Sequence, residues 1–354
     1  MKWMIDIQAA LLAALGSLGF VDLKSSDLRY FVPLDLKEGD FVIHLGRYLR
    51  QVEADSRNKF LLDVQERIGS AFRCSFSDDY LHVHVPLEVL LGAMGEDLAT
   101  YLPLDGLEPP FPLKVPAFEL EAVNGGQASA VLRALSGLWQ AVYQQEIGVA
   151  IVPQVLPPEV EGLAREMVVR DGLELAGMPL ESFATGILQL KLLGISAREK
   201  VPDSPANWFA GRRPEADLLL GLWRMRLLLR EENPAAIAPE AWLTGPKDAL
   251  LSALGPAPAW RSVARACLGL AVQLPQLVYP GKLPWLVHLL LQNQAAMRGL
   301  WQTVRLVDPA NAVASQVRKH LLHGRQQFLA ALLTACGIPG WDAPHIGAAK
   351  PQPN

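Results

Sequence analysis

The chain has 354 residues, of which 51% are hydrophobic and 19% are charged, so it can bury a core and is too apolar to be disordered. The net charge of −4 argues against a general polyanion-binding protein. The charge is unevenly distributed, however. Residues 258–354 hold 9 Lys and Arg and 2 acids, a net charge of +7, whereas the other residues hold 23 Lys and Arg and 34 acids, a net charge of −11. This asymmetry predicts that the C-terminal part meets an anion, unless its arginines only solubilise a helical domain.

The chain contains three widely separated cysteines, Cys74, Cys267 and Cys336. No Cys/His spacing resembles a zinc site, so we expect reduced thiols in a cytoplasmic protein. The apolar N-terminal segment has leucines at helical spacing and no convincing cleavage site, which favours an amphipathic helix over residues 4–18 rather than a signal peptide. No apolar run reaches the length of a membrane span, so no membrane partner is expected.

Three proline-rich stretches divide the chain, at residues 103–116, 152–158 and 201–214. Residues 1–102 are predicted to form a small α+β module. Its elements are strands at 30–34 and 80–85 and helices at 4–18, 40–52 and 58–72. The strand at 80–85 is indicated by histidines that alternate with apolar residues.

The rest of the chain is predicted to be helical, which makes the protein mainly α. The middle region, residues 117–200, has helices at 132–142, 159–169 and 180–193. Residues 215–346 form an all-helical bundle that we expect to fold alone. Its helices are predicted at 218–231, 247–254, 260–274, 283–305 and 312–336, the last capped by Gly337, and residues 347–354 form a flexible tail.

The sequence contains no supported active site, and we predict no catalytic residue, cofactor or metal. His44-Leu45-Gly46-Arg47 approximates the His-x-Gly-His signature of class I aminoacyl-tRNA synthetases, but it ends in Arg and falls within a predicted helix. His82 and His84 share a strand face, yet no third metal ligand lies near them. No phosphate-binding glycine motif occurs.

The C-terminal helices resemble the DALR anticodon-binding domain of arginyl-tRNA synthetases over roughly 130 residues. Three segments carry the likeness: 268–278 (LGLAVQLPQLV), the helix that ends at Leu300-Trp301, and 325–344 (RQQFLAALLTACGIPGWDAP). Trp223-Arg224-Met225-Arg226 stands where the family has an aromatic-rich helix that ends in Ala-Arg. The resemblance implies an all-helical domain that binds tRNA.

The first module is similar, more weakly, to the N-terminal tRNA-binding domain of the same enzymes, where a Gly-Asp-aromatic sequence precedes a helix as Gly39-Asp40-Phe41 does here. Between the two ends only about 115 residues remain, without the His-x-Gly-His or Lys-Met-Ser-Lys-Ser signature of the catalytic domain. The resemblance therefore implies a relative of arginyl-tRNA synthetase that does not aminoacylate tRNA.

The resemblance and the positive charge together predict an RNA-binding surface on the C-terminal helices. It comprises Arg298, Arg305, Arg318, Lys319 and Arg325. The expected partner is tRNA, presented to a tRNA-modifying or tRNA-charging enzyme. The alternatives are a helical protein-interaction scaffold that has lost RNA binding, a divergent arginine–tRNA ligase, or an enzyme of unrelated class.

Three tryptophans lie among these basic residues, Trp260, Trp285 and Trp301. Aromatic rings interleaved with basic side chains suit stacking on unpaired bases. At helical spacing they are more often part of a core, and we expect at least two of the three to be core residues.

Overall fold

The structure is a computed structural model, and it describes residues 2–20, 22–24, 27–33, 39–68, 72–77, 79–94, 125–143, 156–174, 177–195, 214–230, 254–278 and 280–338. Within these residues the chain forms eleven α-helices and one four-stranded antiparallel sheet. This confirms the predicted mainly α fold with a small α+β module at the N-terminus.

The N-terminal module contains all four strands. Its elements in chain order are α1 (Lys2–Ser17), β1 (Arg29–Phe31), β2 (Phe41–His44), α2 (Gly46–Leu49), α3 (Ala54–Ile68), β3 (Arg73–Ser77), β4 (Tyr80–His84) and α4 (Leu87–Met94). The strand order is β1-β2-β4-β3, and Ile43 lies opposite both Tyr30 and Leu81. These three side chains are buried and belong to the inner face of the sheet.

Aromatic contacts hold α1 and α3 against this inner face. The ring of Trp3 on α1 lies 5.8 Å from that of Phe41, and the ring of Phe60 on α3 lies 6.2 Å from that of Phe76. Aromatic pairs at these separations add to the stabilisation that burial of their area supplies. The inner face of the sheet is therefore part of the hydrophobic core, whereas the opposite face is partly exposed to solvent.

The remaining described elements are helical. They are α5 (Gly125–Tyr143), α6 (Pro158–Arg170), α7 (Leu180–Gly194), α8 (Pro214–Arg230), α9 (Ala257–Leu277), a 3-10 turn (Pro280–Lys282), α10 (Leu283–Thr303) and α11 (Ala312–Ala335). Helix α9 packs along α10, and α7 contacts α5, α6, α8 and α10. Helix α7 is consequently buried on most sides, with Phe183 and Leu190 fully inaccessible.

Local signals set the limits of the last helix as the sequence indicates. The Asn311 side chain accepts a hydrogen bond from the backbone N–H of Ala314 at 3.0 Å and caps the start of α11. Gly337 follows the helix with φ +79°, and the N–H of Ile338 donates to the carbonyl of Leu333. This left-handed position explains why a glycine ends the helix.

The N-terminal module is joined to the C-terminal helices by packing and by charge. Helix α9 packs against α4 and β1, and α11 also contacts α4. Arg261 on α9 pairs with the buried carboxylate of Asp40, and Arg265 donates to the carbonyls of Pro33 and Gly39. Helices from all three predicted units thus share one continuous hydrophobic core.

The first module differs from the prediction in three places. Residues 40–52 were expected to be helical, but Phe41–His44 is a central strand and only Gly46–Leu49 is helix. Phe41, Val42 and Ile43 are all buried, Phe41 and Ile43 in the core of the inner face and Val42 among its neighbours on the opposite face, so this central strand loses the two-residue alternation of exposure. Strand β3 and helix α4 have no counterpart in the prediction.

The predicted helix at 247–254 lies outside the described residues except for Leu254, as does the predicted flexible tail.

Candidate nucleic-acid interface

The outer face of the sheet carries a group of aromatic, imidazole and guanidinium side chains. The residues of the four strands that alternate with the core positions form this outer face: Arg29, Phe31, Val42, His44, Arg73, Ser75, Ser77, Tyr80, His82 and His84. None of them is acidic. An acid-free sheet face with aromatic rings offers both stacking surface and cation contacts to a single-stranded nucleic acid.

Tyr80 is the centre of the outer face. Its ring lies 5.7 Å from Phe31 in an edge contact at 81°, 5.0 Å from His44 and 6.5 Å from His82. The side chain remains 36% exposed, whereas Val42 beside it is buried. The cluster holds the tyrosine ring in place without covering it, which is the condition for stacking on an external base.

Two arginines stand on the outer strands of this face. Arg29 on β1 lies opposite His44, and Arg73 on β3 lies opposite His84. Both are exposed, and neither has a hydrogen-bond or ion-pair partner among the described residues. Guanidinium groups in this condition can bind phosphate oxygens without breaking an internal contact.

Asp79, which directly precedes Tyr80, is already paired with an arginine. The carboxylate of Asp79 accepts hydrogen bonds from Nε of Arg50 at 2.9 Å and from Nη2 at 2.5 Å. The pKa of Asp79 is lowered, first by this hydrogen bond to Arg50. Its charge is therefore balanced locally and opposes an approaching anion only weakly.

Gly39 and Asp40 set the position of β2 within the sheet. Gly39 has φ +99°, and a Cβ atom there would lie 2.9 Å from the carbonyl oxygen of Val83. The next N–H, that of Asp40, donates to this same carbonyl, and the Asp40 carboxylate accepts from the N–H of Val85 at 2.7 Å. The Gly-Asp-aromatic sequence thus joins β2 to β4 and aligns His44 with Tyr80.

The predicted RNA-binding residues of the C-terminal helices do not form one surface. Arg298 on α10 is exposed, and its Nη2 pairs with Asp217 of α8 at 2.9 Å. Arg305 is exposed after the end of α10, and its carbonyl accepts a hydrogen bond from Nη1 of Arg318 at 2.6 Å. Lys319 is partly buried and has a contact of its own.

Arg318 and Arg325 were predicted to bind RNA, but the structure places both side chains inside the fold. Arg318 is 8% exposed and Arg325 is 1% exposed. The guanidinium of Arg325 donates to the side-chain and backbone oxygens of Asn293 on α10 and approaches the sulfur of Met225 on α8. Helices α8 and α10 pack over Arg325, and Arg318 is bound to the Arg305 carbonyl, so neither arginine can meet an external phosphate without local opening.

Burial also changes the acid–base properties of this cluster. Removal from water lowers the pKa of Arg325 to about 10, so the group stays charged at neutral pH. Burial raises the pKa of Cys267, which receives a weak 3.8 Å hydrogen bond from Asn293, and the nearby Arg325 opposes that rise. One of the positive charges of residues 258–354, that of Arg325, is therefore buried inside the fold.

The three tryptophans of the basic region differ in exposure. Trp260 is fully buried, and its indole N–H donates to the carbonyl of Leu254 at 2.9 Å. Trp301 packs partly buried against the core. Trp285 is 47% exposed, stacks on His288 and donates to the side-chain oxygen of Gln273. Two of the three are core residues, as expected, and Trp285 is a second exposed aromatic surface.

The histidines of both sequence motifs lie on the outer face of the sheet. His44 ends β2 and Gly46 begins a helix of four residues, so the His44-Leu45-Gly46-Arg47 segment spans a strand-to-helix junction and does not lie within a helix as predicted. In the part of the chain that the structure describes, no group of three potential ligands is arranged to hold a metal ion.

Comparison of the chain with protein-family models, with curated protein sequences and with solved structures gave no match. The likeness to arginyl-tRNA synthetases therefore depends on the residue patterns given above. None of the described helices has the length and apolarity required to cross a lipid bilayer.

Sequence reasoning had found part of the outer face. The alternation at 80–85 predicted β4 and the shared face of His82 and His84. It did not include Phe31, Arg29 or Arg73, because only strand order and register bring residues as distant as Arg29 and His84, 55 positions apart in sequence, onto one face. The only local sequence signal for an aromatic surface on this face was Tyr80, which precedes two histidines at alternate positions.

Proposed function

We propose that the protein is a tRNA-binding protein related to arginyl-tRNA synthetases, and that it binds an unpaired segment of tRNA on the outer face of its sheet. The observation that carries the proposal is the exposed Tyr80 ring, framed by Phe31 and His44. The strand residues of this face include no acid, and its two arginines have no partner among the described residues. Stacking on aromatic rings and phosphate contacts with arginine are the two components of single-strand recognition.

Three further features support this proposal. The sequence resembles two tRNA-binding domains of the synthetase family, one at each end of the chain. Residues 258–354 have a net charge of +7, and Arg298 and Arg305 remain exposed on the C-terminal helices. The three cysteines are free thiols, which suits the reducing cytoplasm where tRNA is used.

The decisive experiment measures binding of fluorescently labelled tRNA by anisotropy over a series of KCl concentrations. Replacing Tyr80 with Leu removes the stacking ring and should weaken binding by about 1–3 kcal/mol, whereas Tyr80→Phe should retain most of the affinity. Replacing Arg29 and Arg73 with Gln removes two phosphate contacts, so the log–log salt slope should become less steep by about 1.4.

The matched control is Leu62→Ala on α3, which changes a 69% exposed apolar side chain away from the outer face. This variant should bind tRNA as the parent protein does. Absence of salt-dependent tRNA binding by the parent protein would contradict the proposal and favour the protein-interaction scaffold.

The proposal includes no aminoacylation, because the sequence lacks both ATP-binding signatures of class I synthetases. Purified protein mixed with ATP, arginine and total tRNA should form no arginyl-tRNA above background. Product formation would instead identify a divergent arginine–tRNA ligase.

A further inference from the structure

Two arginines one helical turn apart on α9 donate hydrogen bonds to backbone and carboxylate oxygens at one end of the sheet. Arg265 is 6% exposed and donates through Nη2 to the carbonyls of Pro33 and Gly39 at 2.7 and 2.9 Å. Arg261 is 30% exposed and donates through Nη1 to both carboxylate oxygens of Asp40 and to the carbonyl of Val85. The two arginines thus differ in how much of each guanidinium is left to solvent.

Arg261 uses only one of its three nitrogen atoms in these contacts. Nε and Nη2 donate to none of the described residues. These two N–H groups point the same way from the planar guanidinium and form the edge that binds two oxygens of one phosphate. The buried carboxylate of Asp40, 2% exposed, holds the group from the other side and limits the rotamer freedom that phosphate binding would cost.

The position of Arg261 continues the outer face. Asp40 directly precedes β2 and Val85 directly follows β4, so Arg261 lies at the end of the sheet where His84 and Arg73 pair. Tyr80 stands at the opposite end of β4, five residues before Val85, which corresponds to about 17 Å of extended strand. A single strand of RNA that stacks on Tyr80 and runs along β4 past His82 and His84 arrives at Arg261.

We propose that Arg261 binds a phosphate of the same RNA strand that stacks on the outer face, through its Nε and Nη2 edge, and so carries the RNA-binding surface from the sheet onto helix α9. This inference rests on the proposed RNA binding. It gives the Asp40–Arg261 pair two roles, because the pair joins the N-terminal module to α9 and also presents one guanidinium edge to RNA at the junction.

The test uses the full chain, total tRNA and a salt series, with three variants. Arg261→Gln removes the charge and the bidentate edge, so tRNA affinity should fall about tenfold and the log–log salt slope should become less steep by about 0.7, the value for one phosphate on a single strand. Asp40→Asn removes the charge partner but leaves the Arg261 edge, so the slope should stay that of the parent. Arg165→Gln on α6 makes the same change in net charge at a 61% exposed position and should alter neither quantity.

Each result decides the inference. An unchanged slope in Arg261→Gln, or equal slope changes in Arg261→Gln and Asp40→Asn, would overturn it, because the pair would then act only by joining the two parts of the molecule. If Arg261→Gln unfolds, Arg261→Lys keeps the charge and replaces the planar edge. Its affinity should fall severalfold at an unchanged melting temperature, and parental affinity would overturn the inference.

The same experiment separates this inference from the proposed function. If the parent protein binds tRNA and Tyr80→Leu weakens binding while Arg261→Gln does not, only the role of Arg261 is wrong. If the parent binds no tRNA, both the function and the inference are wrong.

Discussion

Two buried charged residues, Asp40 and Arg325, show how differently the fold handles charge at the scale of a single residue. Asp40 has a charged partner, Arg261, and a backbone N–H donor, that of Val85. Arg325 has only neutral oxygen and sulfur acceptors among its hydrogen-bond partners in the described part of the chain. A buried charge without an opposite charge is expensive, so the Asn293 oxygens are central to the stability of the α8–α10–α11 junction.

Replacing Arg325 with Met keeps an unbranched side chain but leaves the buried side-chain oxygen of Asn293 without its donor. We expect Arg325→Met to lower the free energy of unfolding by about 2–3 kcal/mol, because a buried acceptor loses its hydrogen bonds. The double variant Arg325→Met with Asn293→Leu should recover most of this loss. Urea denaturation of the parent, the two single variants and the double variant measures the coupling.

Strict additivity of the two single effects would contradict this account of the Arg325–Asn293 contact. The folded Arg325→Met variant also tests the original assignment of Arg325 to RNA. Its tRNA affinity should equal that of the parent protein, because a guanidinium that is 1% exposed does not contact an external phosphate.

At the scale of elements, close helix contacts are made possible by glycine. Gly137 lies on α5 where that helix meets the end of α11, and a Cβ atom there would lie 2.1 Å from the carbonyl oxygen of Ala335. Gly162 on α6 is exposed, and no atom lies within 4 Å of its Cβ position. The two glycines have the same helical context and opposite surroundings.

This contrast predicts opposite effects of the same substitution. Gly137→Ala should lower the free energy of unfolding by about 1–3 kcal/mol, because α5 must move away from α11. Gly162→Ala should raise it by about 0.5–1 kcal/mol, since alanine favours the helix and meets no neighbour. Thermal and urea denaturation of both variants provide the measurement. A stabilised Gly137→Ala protein would show that the α5–α11 contact is looser than described.

At the scale of the whole molecule, the three predicted units are held together by one core. Helix α7 belongs by sequence to the middle region but packs on α8 and α10 of the C-terminal region. Helix α9 belongs to the C-terminal region but packs on α4 and β1 of the first module. The hydrophobic core therefore continues from each predicted unit into the next.

This shared core changes what we expect of the isolated C-terminal region. A fragment of residues 215–346 would expose the apolar faces of α9 and α10 that α4 and α7 cover in the full chain. We expect it to keep helical circular dichroism but to unfold in urea with a lower midpoint and lower cooperativity than the full chain. A cooperative transition at the midpoint of the full chain would instead support an independently folding domain.

The positions of the longer helices follow from local signals in the sequence. Helices α6, α7, α9, α10 and α11 lie within a few residues of their predicted limits, because apolar periodicity and caps such as Gly337 act over one or two turns of chain. Strand β4 was found for the same reason, since its alternation of apolar residues and histidine is also local.

Only the tertiary structure decided the candidate interface. The burial of Arg325 depends on α8 and α10 packing against one face of α11, and no sequence spacing distinguishes an arginine under a neighbouring helix from one in water. The outer face depends on the β1-β2-β4-β3 order, which sets Phe31 and His44 around Tyr80, and Arg261 joins it through a contact across 221 positions of sequence. The sequence by itself determined the helical class, the main helix positions and the excess of positive charge toward the C-terminus, since propensity, periodicity and charge are properties of short segments. Which of those charges reach solvent is set by contacts between distant segments, and these form only when the chain packs.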